Sequence, residues 1–235
     1  MIKSAILLAA GRGKRQRPYT DVTPKPLLTV NGRPTLDFVL RAVAKAGVER
    51  ICIITNHLEE KIFEYVGDGS KWNLSASFAH QSELRGNGDA LTSVPQSWIQ
   101  DEPMMVVATD YILKEDSLLE LVQAQVKYQA DIVMSLKECP IEELTVRSSV
   151  DMDSNWRVKR IIEKPKREEI LSPYAASIMF ILPPQIWEYL PKAKPSERGE
   201  IEMQSAIDRM IQDGFEAVGV LQPAPEEWKK EFATG

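Results

Sequence analysis

Over its first 136 residues the chain repeats one pattern: a short apolar run, then a stretch with apolar residues at helical spacing. The runs at residues 2–8, 51–55, 104–108 and 132–136 lack polar alternation, as strands buried on both faces do. Residues 74–79 also read as a strand. Leu36, Val39, Leu40 and Val43 recur at helical spacing over residues 34–46, with Pro34 suited to a helix start and Gly47 to its end. Further helices are expected at residues 58–66, 90–98 and 117–129. Strand alternating with helix predicts a mostly parallel sheet covered on both faces, a Rossmann-like three-layer α/β/α arrangement. The remainder reads differently. Strands are expected at residues 150–152, 158–163 and 175–182 with short links, then helices at 184–189 and 199–212 and a last strand at 216–221. No linker-like stretch and no internal repeat interrupts the 235 residues. One continuous α/β domain is therefore expected, whose second half, from about residue 137, supplies a lid or floor.

The first strand runs into Ala9-Ala10-Gly11-Arg12-Gly13-Lys14-Arg15-Gln16-Arg17-Pro18. In open α/β sheets, ligands bind beyond the carboxyl ends of strands. Gly11 and Gly13 let the backbone approach a ligand closely and take positive φ, so that successive N–H groups can point into one anion-holding concavity. Arg12, Lys14, Arg15 and Arg17 crowd four cations into residues 12–17 of a chain whose formal net charge is -5. Lys25, between Pro24 and Pro26, adds another on stiffened backbone. This is the equipment a triphosphate needs. The dinucleotide pattern G-x-G-x-x-G fails at Gln16, and the P-loop pattern fails at Leu8 and Arg15. A plain solvated basic loop is the competing reading.

An acidic chain without an RNA-binding aromatic motif is a poor match for nucleic acid. Cys52 and Cys139 make neither a disulfide framework nor a metal-ligand spacing, and Cys52 reads as a small buried hydrophobe. His57 and His80 belong to no cluster, and Trp98, Trp187 and Trp228 read as packing residues. The opening apolar run is too brief for a signal peptide, and no stretch approaches the roughly 20 apolar residues of a membrane span. A cytoplasmic location with no membrane partner is expected.

The segment from Leu8 through Leu27, with Gly11-x-Gly13-x-Arg15-x-x-Pro18 and then Pro24-Lys25-Pro26-Leu27, resembles the signature of the sugar-1-phosphate nucleotidyltransferases, or NDP-sugar pyrophosphorylases. The resemblance continues through Asn31-Gly32-Arg33-Pro34, Gln81 to Ala90, Asp110 and Glu163-Lys164-Pro165, covering roughly residues 1 to 220. It implies a single nucleotide-diphospho-sugar transferase domain, with a nucleotide-binding half (about 1–136) and an acceptor-binding half (about 137–235). The implied reaction transfers NMP from a nucleoside triphosphate to a phosphorylated small-molecule acceptor, releasing pyrophosphate. The acceptor oxygen is already anionic, so no general base is needed; the task is to neutralise and align two polyanions.

On this resemblance Arg15 and Lys25 hold the triphosphate and act catalytically. The backbone of Ala10, Gly11 and Gly13 lines base and phosphates. Gln81 bonds the base edge, and Gly86 lets the base lie against the backbone. Asp110 binds Mg²⁺, Glu163 takes acceptor hydroxyls, and Lys164 contacts the acceptor phosphate. Arg12 and Arg17 are expected to face water.

Several positions depart from the family pattern. Lys14 and Gln16 stand where Thr or Ser and Leu are common, and Thr109 replaces a Gly before the metal Asp. Asn87-Gly88-Asp89 replaces a small neutral run, which puts Asp89 near a triphosphate unless it turns away or meets a cation. Leu221 and Ser205 stand where Asp is usual, so Asp110 is left either as the one metal carboxylate or with Asp89, Glu200 or Glu202 as substitute. Tyr174-Ala175-Ala176-Ser177 replaces an Asn-Ala-Gly. A cytidylyltransferase for phosphocholine or a phosphonate, and a nucleotide-binding regulator without turnover, stay open as alternatives, as do the base preference and an oligomeric assembly.

Overall fold

The computed structural model describes residues 2–196, 198–224, 226, 227 and 229. Seven strands form the main sheet: β1 (Ser4–Leu8), β2 (Arg50–Thr55), β3 (Ser75–His80), β4 (Met104–Ala108), β5 (Ile132–Glu138), β6 (Tyr174–Leu182) and β7 (Ala217–Leu221). They lie in the order β7-β5-β6-β4-β1-β2-β3. Pairing is parallel except at β6, which runs antiparallel to both β4 and β5.

The chain builds outward from β1 through β2 to β3, then returns to place β4 on the other side of β1. That reversal opens a crevice between the β1 and β4 loops, where open α/β sheets bind ligands. Register makes the crevice even-edged: Leu8 pairs with Ile54 on one side and Ala108 on the other. The loops that leave these strands start level with one another.

Side chains alternate across the strands with the period of two. Ala5, Leu7, Ile51, Ile53, Met105 and Val107 pack on one face, under Leu36, Leu40 and Val43 of helix Thr35–Lys45 and Leu118 and Leu121 of helix Ser117–Tyr128. Ile6, Cys52, Ile54, Val106 and Phe180 fill the other, with Leu91 and with Ala206, Ile207 and Met210 of helix Met203–Gln212. Each fully buried aliphatic side chain contributes about 1.5–3 kcal/mol, so the two faces together fix the sheet. Cys52 is wholly buried, and burial pushes its thiol up to about 11. Trp98 is buried with the Arg50 guanidinium over its ring, and Trp187 packs beside the second face. Trp228 lies outside the described residues.

Some expected elements shift. The helix expected at residues 90–98 runs Asn87–Thr92, and Pro95 begins a separate turn at Gln96–Trp98. The helix expected from residue 199 starts at Met203, because residues 200–202 are extended and tied to another loop: Ile201 N–H donates to the Arg85 carbonyl, and Gly88 N–H donates to the Ile201 carbonyl. The second half is more than a lid or floor. Its strands β6 and β7 lie within the main sheet, and the 136/137 boundary falls inside β5. A two-stranded ribbon, Ser148–Met152 with Val158–Glu163, pairs separately from the main sheet but packs against it, Ala176 N–H of β6 donating to Ser148 Oγ, and is pinned to helix Met203–Gln212 where Arg160 Nε and Ile161 N–H donate to Asp208. No described helix is long and apolar enough to cross a membrane.

Candidate active site

A hollow of about 280 Å³ opens at the crevice, lined by residues 8–11, 25–26, 81, 84, 86–87, 90, 108–110 and 178. The loops after β1, β3 and β4 each supply one wall, and Ile178 of β6 reaches in from the antiparallel strand. The N–H groups of Ala10, Gly11 and Gly86 donate to no carbonyl among the described residues. They remain free for a ligand, as an anion- or base-binding loop requires.

Lys25 and Asp110 face one another across this hollow in a direct, partly exposed ion pair. Gly13 makes room for the lysine. It sits at φ +60, and a Cβ added there would lie 2.7 Å from Thr20 Cγ2 and 3.2 Å from Lys25 Cβ. Thr20 Oγ1 in turn donates to the Gly13 carbonyl at 2.8 Å. On the Asp110 side, Thr109 Oγ1 donates to the Leu8 carbonyl at 2.8 Å, and Thr35 Oγ1 donates to the Thr109 carbonyl at 3.1 Å. The Thr at this position therefore laces the β4 loop to the end of β1. Arg12, Lys14 and Arg15 are exposed and meet no carboxylate among the described residues, whereas Arg17 pairs with Asp21 at 3.1 Å on the surface.

The β3 loop is held from behind. Gly86 has φ +106, and a Cβ there would come within 2.5 Å of the Ile201 carbonyl oxygen. Asn87 Oδ1 accepts from Met203 N–H at 2.6 Å, and its Nδ2 donates to Gln204 Oε1 at 3.1 Å. Gln81 is 3% exposed and Asp89 6%. Gln81 Nε2 donates to Asp89 Oδ2 at 2.9 Å, and Arg85 donates to Asp89 Oδ1 at 2.9 Å from Nη2 and 3.2 Å from Nε. Asp89 therefore meets a cation.

Beside this wall lies a charged cluster. Lys164 Nζ donates to Glu200 Oε2 at 3.0 Å and to Glu202 Oε1 at 3.1 Å. Glu200 and Glu202 flank Ile201, whose backbone meets the β3 loop, so Lys164 at the ribbon end is tied to the same strip that backs that loop. Burial pushes Glu163 up to about 7, with the nearby charge of Glu202 adding to the effect. Burial also raises Glu202, while the hydrogen bond from Lys164 holds Glu200 below the usual range. Burial opposes the Lys164 charge, but its two carboxylate partners outweigh that and hold it above its ordinary value.

Of the residues expected from sequence, Ala10, Gly11, Lys25, Gln81, Gly86 and Asp110 line one hollow. Gly13 packs behind Lys25, and Arg15 sits exposed on the turn Lys14–Gln16 of the same loop. Glu163 and Lys164 form the adjoining cluster. Sequence reasoning missed Ile178 and Leu84, which are ordinary apolar residues carrying no signal, and Asn87, whose amide locks the loop. His57 and His80 are engaged with the Thr20 carbonyl and with Glu59, and no His/Cys/Asp/Glu group of metal-ligating size exists among the described residues. Leu221 is 45% exposed away from the hollow, and Ser205 borders another depression beside Tyr189 and Asp213. Asp89 pairs with Arg85, Glu200 and Glu202 share Lys164, and none of the three lines the hollow. Asp110 is thus left as the carboxylate at the hollow. That fits Mg²⁺, which commonly takes one or two carboxylates and fills its shell with waters and phosphate oxygens.

An α/β sheet with a switch-point crevice, free backbone amides and a cationic glycine loop defines a phosphate-ligand-binding fold. Comparison with known proteins narrows it. The chain belongs to the nucleotidyl transferase family, whose family model matches residues 4–229; these are the sugar-1-phosphate nucleotidyltransferases that its motifs resemble. It is 28% identical over 211 residues to a low-salt glycan biosynthesis nucleotidyltransferase, Agl11, of Haloferax volcanii, covering 89% of this chain and 57% of that protein. It is 29% identical to a UTP–glucose-1-phosphate uridylyltransferase, AglF, of the same organism, covering 89% and 84%. Against the bifunctional protein GlmU of Methanococcus maripaludis the shares are 89% and 47% at 30% identity. The chain thus spans about half the length of several curated relatives it matches. A crystal structure of UDP-glucose pyrophosphorylase with UDP-glucose superposes with a TM-score of 0.83 at 22% identity, over 97% of this chain and 93% of that one, which shows a common fold.

Two outcomes follow from the site's packing. Gly86→Ala drives a methyl into the Ile201 carbonyl at a backbone angle that side chains avoid, so it destabilises the protein by about 1–3 kcal/mol in denaturant melts. Glu163 keeps its proton in the folded protein up to about 7, while the unfolded chain releases it near 4.5. Wild-type stability therefore falls as pH rises through that window. Glu163→Gln, which has no proton to lose, gains stability over wild type at pH 8, by about 2 kcal/mol, and gains little at pH 5.

Proposed function

We propose that the protein is a Mg²⁺-dependent nucleotidyltransferase that moves NMP from a nucleoside triphosphate to a sugar 1-phosphate and releases pyrophosphate. The observation that carries this reading is the convergence of Ala10, Gly11, Lys25, Gln81, Gly86 and Asp110, from loops far apart in sequence, on one hollow at the switch point. Family membership and the names borne by its relatives support it.

The acceptor phosphate oxygen attacks the α-phosphorus, the bond from that phosphorus to the bridging oxygen breaks, and pyrophosphate leaves with the electron pair. Attacking and leaving groups are both anionic, so catalysis consists of alignment and charge neutralisation. Lys25 and Arg15 grip the triphosphate and offset charge gathering on the departing pyrophosphate. Free amides of the Ala10–Gly13 loop meet phosphate and base oxygens, while Gln81 and Gly86 receive the base. Lys164 directs the acceptor phosphate, and Glu163 holds acceptor hydroxyls. Asp110 would hold Mg²⁺, which would supply positive charge to neutralise the phosphates. Asp110 also places Lys25: the ion pair keeps the ammonium at the hollow rather than in bulk water.

Pyrophosphate release from a panel of triphosphates and sugar 1-phosphates tests the reading, and silence across the panel refutes it. Arg15→Ala and Asp110→Asn are each expected to lower turnover 100-fold or more, roughly 3 kcal/mol of transition-state stabilisation, with folding retained. Near-wild-type turnover in either variant would show that the site lies elsewhere.

A further inference from the structure

We infer that Asp89 is a specificity-positioning residue: by fixing the amide of Gln81 it makes the hollow favour uracil or thymine over cytosine. The inference rests on the proposed nucleotidyltransferase reading and deepens it.

Gln81 can present either an amide N–H or an amide oxygen to a ligand, and the two choices recognise opposite base edges. Its surroundings decide. Nε2 donates to the Gly86 carbonyl at 3.2 Å and to Asp89 Oδ2 at 2.9 Å. Neither partner can donate a hydrogen bond, the first being a carbonyl and the second a carboxylate that Arg85 grips through its other oxygen. Turning the amide over would set Gln81 Oε1 against two oxygens in a nearly dry site, since Gln81 and Asp89 are 3% and 6% exposed. The amide oxygen therefore remains for the ligand, in a hollow to which Ala10, Gly11 and Gly86 also present N–H groups that donate to no backbone carbonyl among the described residues.

One acceptor set among donors complements a ring N–H flanked by two carbonyl oxygens, the edge of uracil and thymine. Cytosine carries a lone pair at the same ring nitrogen, which would oppose Oε1. It could satisfy that oxygen through its amino group only by sliding across the hollow, away from the amides. The carboxylate at position 89, which would repel a triphosphate if it faced one, is turned instead onto Gln81 and Arg85.

The test is calorimetric binding of UTP and of CTP, each with Mg²⁺ and without acceptor, to wild type and to Asp89→Leu, which keeps the branched outline and removes both oxygens. Wild type is expected to bind UTP about 100-fold more tightly than CTP, and the variant less than about 10-fold more tightly. Arg85→Leu, an exposed position whose side chain reaches only carboxylates, should erode the preference in the same direction and to a smaller degree; it decides the question if Asp89→Leu does not fold. Equal binding of UTP and CTP by wild type overturns the inference, as does a preference that survives in both variants. If wild type binds neither nucleotide, the nucleotidyltransferase reading itself fails, and the inference falls with it.

Discussion

The site depends on one topological constraint: the chain leaves β1 in one direction and later returns to the other side of it. A parallel sheet that reverses its winding has to part the loops at the reversal. Here the parting falls between the strands ending at Leu8 and Ala108, which the register holds level. The glycine loop and the Asp110 loop are therefore forced to face each other. Everything charged in the hollow answers that enforced proximity: Lys25 bridges to Asp110, and Thr109 ties the two loops together. A site assembled on strand ends in this way inherits the rigidity of two buried apolar layers.

The charged cluster beside the hollow is built by a different device. The ribbon carrying Glu163 and Lys164 is not part of the main sheet, and its end is held by carboxylates from the extended strip before helix Met203–Gln212. That strip also backs the β3 loop through the close approach of Ile201 to Gly86 and Gly88. One short segment thus links the β3 loop to the cluster around Lys164. Crowding carboxylates around one ammonium costs stability once Glu163 ionises, a strain that a binding site can hold because the surrounding packing is fixed.

Much of this was legible in the sequence. Unbroken apolar runs announced the sheet strands, and the glycines, prolines and cations of residues 11–26 pointed to a loop that the structure places at the crevice, where Gly11, Lys25 and Pro26 line the hollow. What stayed hidden was set by tertiary contact. Helix periodicity suggested a start at residue 199, but the pairing of Ile201 with the β3 loop holds that stretch extended. The second half reads as short strands with short links, a pattern equally suited to a lid, and only the antiparallel insertion of β6 between β4 and β5 shows that it completes the sheet. Asp89 looked like a repulsive intruder because its partners, Gln81 and Arg85, gather around it only after the loop folds. Ile178 gave no sign at all, since an apolar residue in a strand has the same appearance whether it faces a core or a ligand.

The most direct test is a crystal structure with a non-hydrolysable nucleoside triphosphate and Mg²⁺. The account predicts the base beside Gln81 and Gly86, the terminal phosphates within hydrogen-bonding distance of Arg15 and Lys25, and the ion on Asp110. A triphosphate bound outside the crevice between the β1 and β4 loops, or bound within it without touching Lys25 or reaching the Asp110-held ion, would contradict it.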